Sequence, residues 1–216
     1  MLETYDRSAC RERLCQGMCS LGLAMDESQE RLLLQFLTLL VKWNKAYNLT
    51  AVRDPLEMVG RHLLDSLAVL PHLWGQRCLD MGTGPGLPGI PLAIMRPQMN
   101  FVLLDSNGKK IRFVRQAVLE LGLGNVEAVQ QRLESYRPEE GFDTLIARAF
   151  TALPRMFELT ARLRRPGTRL LAMKADKAES ELAALDQGIE SHVIPLTVPY
   201  TQGTRCLVEV KGLATD

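Results

Sequence analysis

The chain has 216 residues, about the size of one domain of roughly 100–200 residues. Hydrophobic residues make up 46%, charged residues 24%, and the formal net charge is +1, values ordinary for a soluble globular protein. No apolar run approaches the ~18 residues of a membrane helix, and any nucleic-acid contact must depend on local basic patches. The charged start MLETYDRSACRERL has no apolar signal core, and the five cysteines have no framework spacing. We therefore expect a cytoplasmic protein with free thiols and no membrane partner.

Two helices are predicted in the N-terminal part of the chain. Asp26 and Gln29 form a capping-box pattern at the start of residues 26–45, where apolar residues recur at helical spacing. Residues 55–72 show the same periodicity after a proline suited to a first helical turn. The polar connection NKAYNLTAVRD separates the two helices. We predict that residues 1–75 form a helical extension that packs on the main domain.

From residue 77 onward, strand and helix patterns alternate, which favours a mostly parallel sheet with helices on both faces. The predicted strands are 77–81, 100–105, 125–131, 142–149 and 168–173, followed by HVIPLTVP and TRCLVEVKG as a closing antiparallel hairpin. One helix is predicted to begin near Pro88, and three others are predicted over 109–121, 152–163 and 176–188. The sequence therefore predicts an α/β, Rossmann-like domain over residues 76–216, with seven strands and an antiparallel C-terminal pair.

A glycine-rich loop, in LDMGTGPGLPGIPLAI, follows the first predicted strand. In a doubly wound sheet, ligands bind beyond the carboxyl ends of the strands, and this loop lies there. Gly82, Gly84 and Gly86 alternate, which suits a ligand that lies against bare main chain. A sharp turn with no ligand is the simpler alternative.

The same loop fits the dinucleotide fingerprint G-x-G-x-x-G, ending at Gly89. Two features disfavour a nicotinamide dinucleotide. The three prolines of the loop lack the N–H groups that hold a diphosphate, and the carboxylate of Asp80, directly before the glycines, would repel one. That carboxylate suits a positive amino group or sulfonium instead. S-adenosylmethionine carries both and has no phosphate, so we predict it as the ligand.

The next two strands supply further candidate contacts. Asp105 ends the second strand about 20 residues after the glycines, where an acidic residue accepts hydrogen bonds from ribose hydroxyls. NAD and S-adenosylmethionine both contain that ribose, so Asp105 fits either compound. The structural alternative is that Asp105 is the N-cap of a helix. After the third strand, Leu133 can pack on adenine and Glu134 can accept a hydrogen bond, although both can equally belong to a surface helix.

The sequence ARAF follows the fourth strand, where this architecture commonly displays its chemistry. It lacks the Asn/Asp-Pro-Pro-aromatic pattern expected for exocyclic amino groups, and no cysteine nucleophile stands there. N7 of guanine needs neither group, because it has an exposed lone pair and loses no proton when methylated. Arg148 can donate to guanine O6, hold the methionine carboxylate or form a surface ion pair, and Phe150 can stack on a base. Lys174 ends the fifth strand on the same side.

Other polar and sulfur-containing residues are assigned to structure or to RNA contact. The cysteines and His62 and His72 have no zinc or triad spacing, so no metal is predicted. Cys78 and Cys206 are expected in the core. Basic residues cluster locally, either as solvated helix faces or as an RNA-docking surface. These clusters comprise Lys42, Lys45, Arg53, Arg61, Lys109, Lys110, Arg112, Arg115, Arg162, Arg164 and Arg165.

Five segments together resemble one family: WNKAYNLTAV, RHLLDSL, LDMGTGPGLPGIPLAI, LLDSNGKKIRFVRQ and ARAF. They are similar to the small-subunit ribosomal RNA methyltransferase G family, also called glucose-inhibited division protein B, from about residue 30 to the C-terminal hairpin. The resemblance implies a class I S-adenosylmethionine-dependent methyltransferase that acts on N7 of a guanine in 16S ribosomal RNA near the decoding centre. S-adenosylhomocysteine would be the product. The small subunit or an assembly intermediate would be the partner, and we expect a monomer.

The resemblance implies donor contacts at Gly82, Leu87, Leu133, Glu134 and Arg148. The motifs and the family resemblance together predict the following donor-binding residues: Asp80, Gly82, Gly84, Gly86, Leu87, Asp105, Ser106, Leu133, Glu134 and Arg148. Arg148 and Lys174 are the predicted catalytic residues. One departure is visible, since Ala175 follows Lys174 where the family commonly has glycine. Three alternatives remain: a methyltransferase for protein or small molecules, a nicotinamide oxidoreductase, and a non-catalytic RNA-binding or partner-binding module that keeps only the fold.

Overall fold

The computed structural model describes residues 5–175, 181–182 and 190–211. Its N-terminal part begins with helix α1 (Arg7–Ser20) and helix α2 (Glu27–Tyr47). The predicted capping box at α2 is confirmed, because the Asp26 carboxylate accepts from the Gln29 amide and the Gln29 side chain accepts from the Asp26 amide. The helix ends at Asn48, which takes the left-handed conformation.

The predicted helix over 55–72 is confirmed from Pro55 to Leu67, but it contains a π-helical stretch, and a separate 3-10 turn replaces its last residues. This segment consists of α3 (Pro55–Met58), a π-helix (Val59–Leu64), α4 (Asp65–Leu67) and a 3-10 turn (Leu70–His72). The π-helix accommodates close packing, since a Cβ on Gly60 would lie 2.9 Å from the carbonyl oxygen of Tyr200. Apolar periodicity alone does not reveal such a widened turn, which often occurs at functional sites.

The seven-stranded sheet is confirmed, with strand order β3-β2-β1-β4-β5-β7-β6. Strands β1 to β5 are parallel, and β7 runs antiparallel to both β5 and β6. The chain order switches between β1 and β4, which places a ligand crevice at their carboxyl ends. The strands are β1 (Arg77–Met81), β2 (Asn100–Asp105), β3 (Val126–Gln130), β4 (Phe142–Arg148), β5 (Arg164–Lys174), β6 (Ser191–Pro195) and β7 (Cys206–Val210).

The remaining helices follow the predicted alternation, with shifted ends. They are α5 (Gly89–Met95), α6 (Gly108–Leu121) and α7 (Leu153–Thr160), with short 3-10 turns at Leu133–Ser135 and Ala161–Leu163. Strand β5 begins at Arg164 rather than at residue 168, because its first residues continue the pairing with β4 at Phe142. Of the helix predicted over 176–188, only residues 181–182 belong to the described part of the chain.

Apolar side chains cover both faces of the sheet. On one face, residues such as Phe101 and Ile146 pack against α1, α2, α5 and α6 in a core that also contains Phe36 of α2. On the other face, residues such as Leu145 pack under α7. The N-terminal helices therefore share a hydrophobic core with the sheet, and each fully buried large side chain there contributes about 1.5–3 kcal/mol. No helix within the described ranges has the length and apolar character needed to span a membrane.

Candidate functional site

The glycine loop after β1 adopts a backbone that other residues disfavour. Gly82, Gly84 and Gly86 have φ values of +66°, +59° and +82°. A Cβ on Gly82 would lie 2.6 Å from the ring of Phe150, so a side chain there would collide as well as strain the backbone. Gly82 therefore exposes main chain at the carboxyl end of β1, whereas Gly84 and Gly86 are buried within the loop.

Most amide groups of this loop are already engaged within the protein. Amides directed at an anion are what a diphosphate site needs. Here the Gly84 amide donates to Asp105 Oδ2 at 2.9 Å and the Gly89 amide to Asp80 Oδ2 at 2.8 Å. Four further amides of the loop donate to backbone carbonyls, those of Thr83, Gly86, Leu87 and Ile90. The loop is a poor cradle for a dinucleotide diphosphate.

Asp80 lies beneath the loop, which corrects the expectation that its carboxylate faces the ligand. It is fully buried, and its Oδ2 accepts from the Thr83 hydroxyl at 2.5 Å as well as from Gly89. Its Oδ1 has no hydrogen-bond partner within the described residues. Burial raises the pKa of Asp80 to about 6, and the hydrogen bonds from Thr83 and Gly89 oppose that rise. The carboxylate fixes the conformation of the loop and therefore affects a bound ligand only indirectly.

A first cleft of about 310 Å³ opens beside the loop, between the ends of β1, β2 and β4. Five predicted donor residues line it, together with Phe150 and residues that sequence reasoning missed, such as Arg132. The predicted residues are Gly82, Asp105, Ser106, Leu133 and Glu134. Two carboxylates and one guanidinium thus border the cleft, a charge pattern that suits a cationic ligand. Gly84, Gly86, Leu87 and Arg148 do not line this cleft.

Asp105 is arranged as an acceptor. Its Oδ2 accepts from the Gly84 amide and its Oδ1 from the Asn107 amide at 2.8 Å, and each oxygen has a second lone pair for a hydroxyl group. The alternative that Asp105 caps a helix is wrong, because Asn107 is the N-cap of α6. Leu133 is buried at the start of a 3-10 turn, and Glu134 beside it is exposed, so the cleft has an apolar wall and an exposed carboxylate.

A second cleft, of about 350 Å³, lies on the other side of the β4 end. Arg148 and Lys174 line it, as do Asp65 and Arg205, and Ala149 lines both clefts. Ala149 has a φ of +50°, a strained conformation for a residue with a side chain. Sequence reasoning counted Arg148 among the donor contacts, but the fold places it with the other predicted catalytic residue, Lys174, in the second cleft.

The charged residues of the second cleft are paired. Arg148 Nη1 donates to Asp65 Oδ2 at 3.1 Å and to the Arg61 carbonyl at 3.2 Å. Asp65 Oδ1 lies 3.4 Å from Arg205 Nε. Lys174 Nζ donates to the Thr151 carbonyl and pairs with Glu181, both at 2.8 Å. Asp65 and Arg205 carry no spacing signal in the sequence, because their partners are distant along the chain.

His62 also lines the second cleft, and both of its ring nitrogens have partners. Nδ1 lies 2.9 Å from the Arg61 carbonyl, which can only accept, so Nδ1 donates and Nε2 accepts from the Thr50 hydroxyl at 2.8 Å. Burial and the nearby Arg148 charge lower the pKa of His62 to about 4. The imidazole is therefore neutral near pH 7 and structurally engaged, which confirms the structural role predicted for it.

The predicted sulfur chemistry agrees with the structure. Cys78 and Cys206 are buried in strands, and all five cysteines are free. In the described part of the chain, no group of histidine, cysteine, aspartate or glutamate side chains could hold a metal ion.

Comparisons with known proteins agree with the geometry. A family model described as GidB, rRNA small subunit methyltransferase G, matches residues 29–208. The chain is 50% identical over 201 residues to ribosomal RNA small subunit methyltransferase G of Methylococcus capsulatus, covering 93% of this chain and 98% of that protein. It is 48% identical to the Shewanella amazonensis protein of the same name, covering 92% and 97% of the two chains.

The fold is also found in solved structures. A crystal structure of a SAM-dependent methyltransferase from Aquifex aeolicus superimposes with a TM-score of 0.56 at 20% identity, covering 70% of this chain and 91% of that one. The sheet is therefore that of the Rossmann-like S-adenosylmethionine-dependent methyltransferases. From the family match and these relatives, the chain belongs to the rRNA small subunit methyltransferase G family.

Proposed function

We propose that this protein transfers a methyl group from S-adenosylmethionine to N7 of a guanine in 16S ribosomal RNA, within the small subunit or an assembly intermediate. The observation that carries the proposal is the pair of clefts that meet at Ala149, one suited to a phosphate-free cationic nucleoside and one large enough for a base. Membership of the family supports the choice of ribosomal RNA.

The first cleft would hold the donor. Asp105 would accept hydrogen bonds from its ribose hydroxyls, Leu133 would pack on its adenine, and Glu134 would bind the adenine edge or another donor group. The bare main chain at Gly82 would lie against its methionine part, with Ser106 beside the ribose. Asp80, Gly84, Gly86 and Leu87 would act indirectly by fixing the loop. The donor supplies an electrophilic methyl group on its sulfonium.

The second cleft would hold the acceptor guanine. N7 has a free lone pair, so its methylation needs no general base. The neutral His62 has both nitrogens committed, and Lys174 is paired with Glu181, so neither side chain is poised to remove a proton. Catalysis would consist of alignment and exclusion of water, which can supply a large part of the rate enhancement.

Arg148 would connect the two clefts. Within the described residues, both hydrogen bonds of Arg148 come from Nη1, which leaves Nη2 and Nε for the guanine O6 or for the methionine carboxylate. Its partner Asp65 is buried, so the guanidinium is held in place before substrate binds. Lys174, at the end of β5, would contribute positive charge beside the RNA.

The helical extension of residues 1–75 would help to dock the RNA. It shares a core with the sheet, and the segment from Arg61 to Asp65 borders the second cleft. Local arginines there would supply the phosphate contacts that the near-neutral chain does not supply globally. The monomeric state and cytoplasmic location stay predictions.

The test is methyl transfer from labelled donor to small subunits lacking this modification, with naked 16S RNA and bulk protein as comparison acceptors. We expect label in 16S RNA at a single guanine, where borohydride and aniline then cleave the strand. Label found only in protein would overturn the RNA assignment. A labelled guanine that resists cleavage would overturn N7 as the acceptor atom.

A further inference from the structure

Asp65 occupies a buried position between two arginines. It begins α4, directly after the π-helix, and only 6% of the residue is exposed. Its Oδ2 accepts from Arg148 Nη1 at 3.1 Å, and its Oδ1 lies 3.4 Å from Arg205 Nε. Arg148 ends β4, whereas Arg205 directly precedes β7. One carboxylate therefore ties together three separate parts of the fold at the second cleft.

The two arginines border different spaces. Arg148 adjoins Ala149, which lines both the first and the second cleft. Arg205 lines the second cleft and also an outer groove of about 380 Å³, bordered by Arg61 and Tyr200. The carboxylate thus holds one guanidinium where the two clefts meet and the other where the acceptor cleft opens to the surface.

Electrostatics explains why this carboxylate matters for the arginines. Two guanidinium groups directed at one place repel each other, and a buried negative charge between them offsets that repulsion. Each guanidinium has five N–H donors in a planar fork, so a single contact to Asp65 orients the fork without consuming it. Flexible arginines lose conformational entropy when they bind RNA, and arginines that are already oriented lose less.

We propose that Asp65 is a positioning residue for the RNA substrate: it orients Arg148 toward the target guanine and Arg205 toward the phosphate beside that guanine. This inference rests on the proposed function of the second cleft. It assigns Asp65 no contact with the reacting atoms, because its two oxygens face the arginines.

The test compares Asp65→Asn with wild type on small subunits lacking the modification. The variant has nearly the same shape but lacks the charge that holds the arginines. We expect kcat/KM for the subunit to fall about 10- to 100-fold, mainly through KM. We expect the Kd for S-adenosylhomocysteine to change less than about twofold, because Asp65 does not line the first cleft. Unchanged kinetics would overturn the proposal, as would an equal loss of donor affinity.

Asp143→Asn is a matched control. Asp143 lies at the opposite end of β4, is also largely buried, and pairs with Arg165. Its loss should lower the Tm while leaving kcat and KM for the subunit unchanged. If Asp143→Asn impairs transfer as much as Asp65→Asn does at a similar Tm, then Asp65 has only a structural role.

The Arg205→Gln variant keeps the proposal testable if Asp65→Asn folds poorly, and a double-mutant cycle extends the test if Asp65→Asn folds. Because Asp65 acts in part through Arg205, we expect Arg205→Gln alone to raise KM, and we expect the double variant to be no more impaired than the more impaired single variant. Effects that multiply independently, or an Arg205→Gln variant with the wild-type KM, would overturn the inference. A wild-type protein that transfers no methyl group to RNA would instead overturn the proposed function itself.

Discussion

The buried histidine of the second cleft leads to a quantitative pH prediction. The pKa of His62 is about 4 in the folded protein, against an ordinary value near 6.5. A histidine with a lowered pKa stabilises the fold above its unfolded pKa, and that contribution is lost as the pH falls toward the folded value. From pH 7 to pH 5 the loss is about 2 kcal/mol, and it reaches about 3 kcal/mol at pH 4.

The pH dependence of the unfolding free energy of the wild type does not by itself reveal this loss. The pKa of Asp80 is raised to about 6, so its contribution has the opposite sign: it is present at low pH and disappears as the pH rises through the same window. The two groups partly offset each other between pH 4 and pH 6.5. The effect of His62 must therefore be measured as a difference between wild type and a variant.

The assay is urea unfolding of wild type and His62→Gln at several pH values from 4 to 7.5. His62→Gln should lower the unfolding free energy by a constant amount, because packing and hydrogen bonds are lost. Because glutamine cannot take up a proton, the variant should also gain unfolding free energy relative to wild type as the pH falls. We expect the difference in unfolding free energy to shift by about 2 kcal/mol in favour of the variant between pH 7 and pH 5. A difference for His62→Gln that is constant with pH would refute the burial argument.

Three further substitutions test the site. Gly82→Ala would place a Cβ 2.6 Å from the Phe150 ring, so we expect calorimetry to show at least a 10-fold loss of S-adenosylhomocysteine affinity; Gly22→Ala, at a similar φ of +66° with no neighbour within 4 Å, should bind normally. Equal affinities would contradict the assignment of the loop. Asp80→Asn should gain about 2 kcal/mol of unfolding free energy relative to wild type as the pH rises from 4 to 7, and a flat difference would contradict the raised pKa. Arg148→Ala should lower kcat about 100-fold or more in the methyl-transfer assay with an unchanged circular dichroism spectrum, and near-normal turnover would remove Arg148 from the site.

The sequence predicts those features that local chemistry determines. Alternating strand and helix patterns predict the seven-stranded sheet, since a parallel sheet needs helical crossovers. The glycines at 82, 84 and 86 predict left-handed backbone conformations, and all three occur. Asp105 is predictable because the end of the second strand lies beside the first in this topology.

The remaining features depend on contacts between distant parts of the chain. The pattern before the glycines locates Asp80 but not its direction, which depends on the Thr83 hydroxyl and the Gly89 amide that surround it. The position of Arg148, at the end of strand β4, depends on Asp65, which lies far away in the sequence on helix α4. The π-helical turn within residues 55–72 packs closely against Tyr200, a contact that the apolar spacing of the segment does not reveal.

A crystal structure of the protein soaked with S-adenosylhomocysteine, and in parallel with NAD, tests most directly where the donor binds. We predict that S-adenosylhomocysteine binds in the first cleft, where its ribose hydroxyls donate to Asp105 and its adenine packs on Leu133. We expect no ordered NAD. Density for the compound in another cleft, or a dinucleotide diphosphate seated on the glycine loop, would contradict the account.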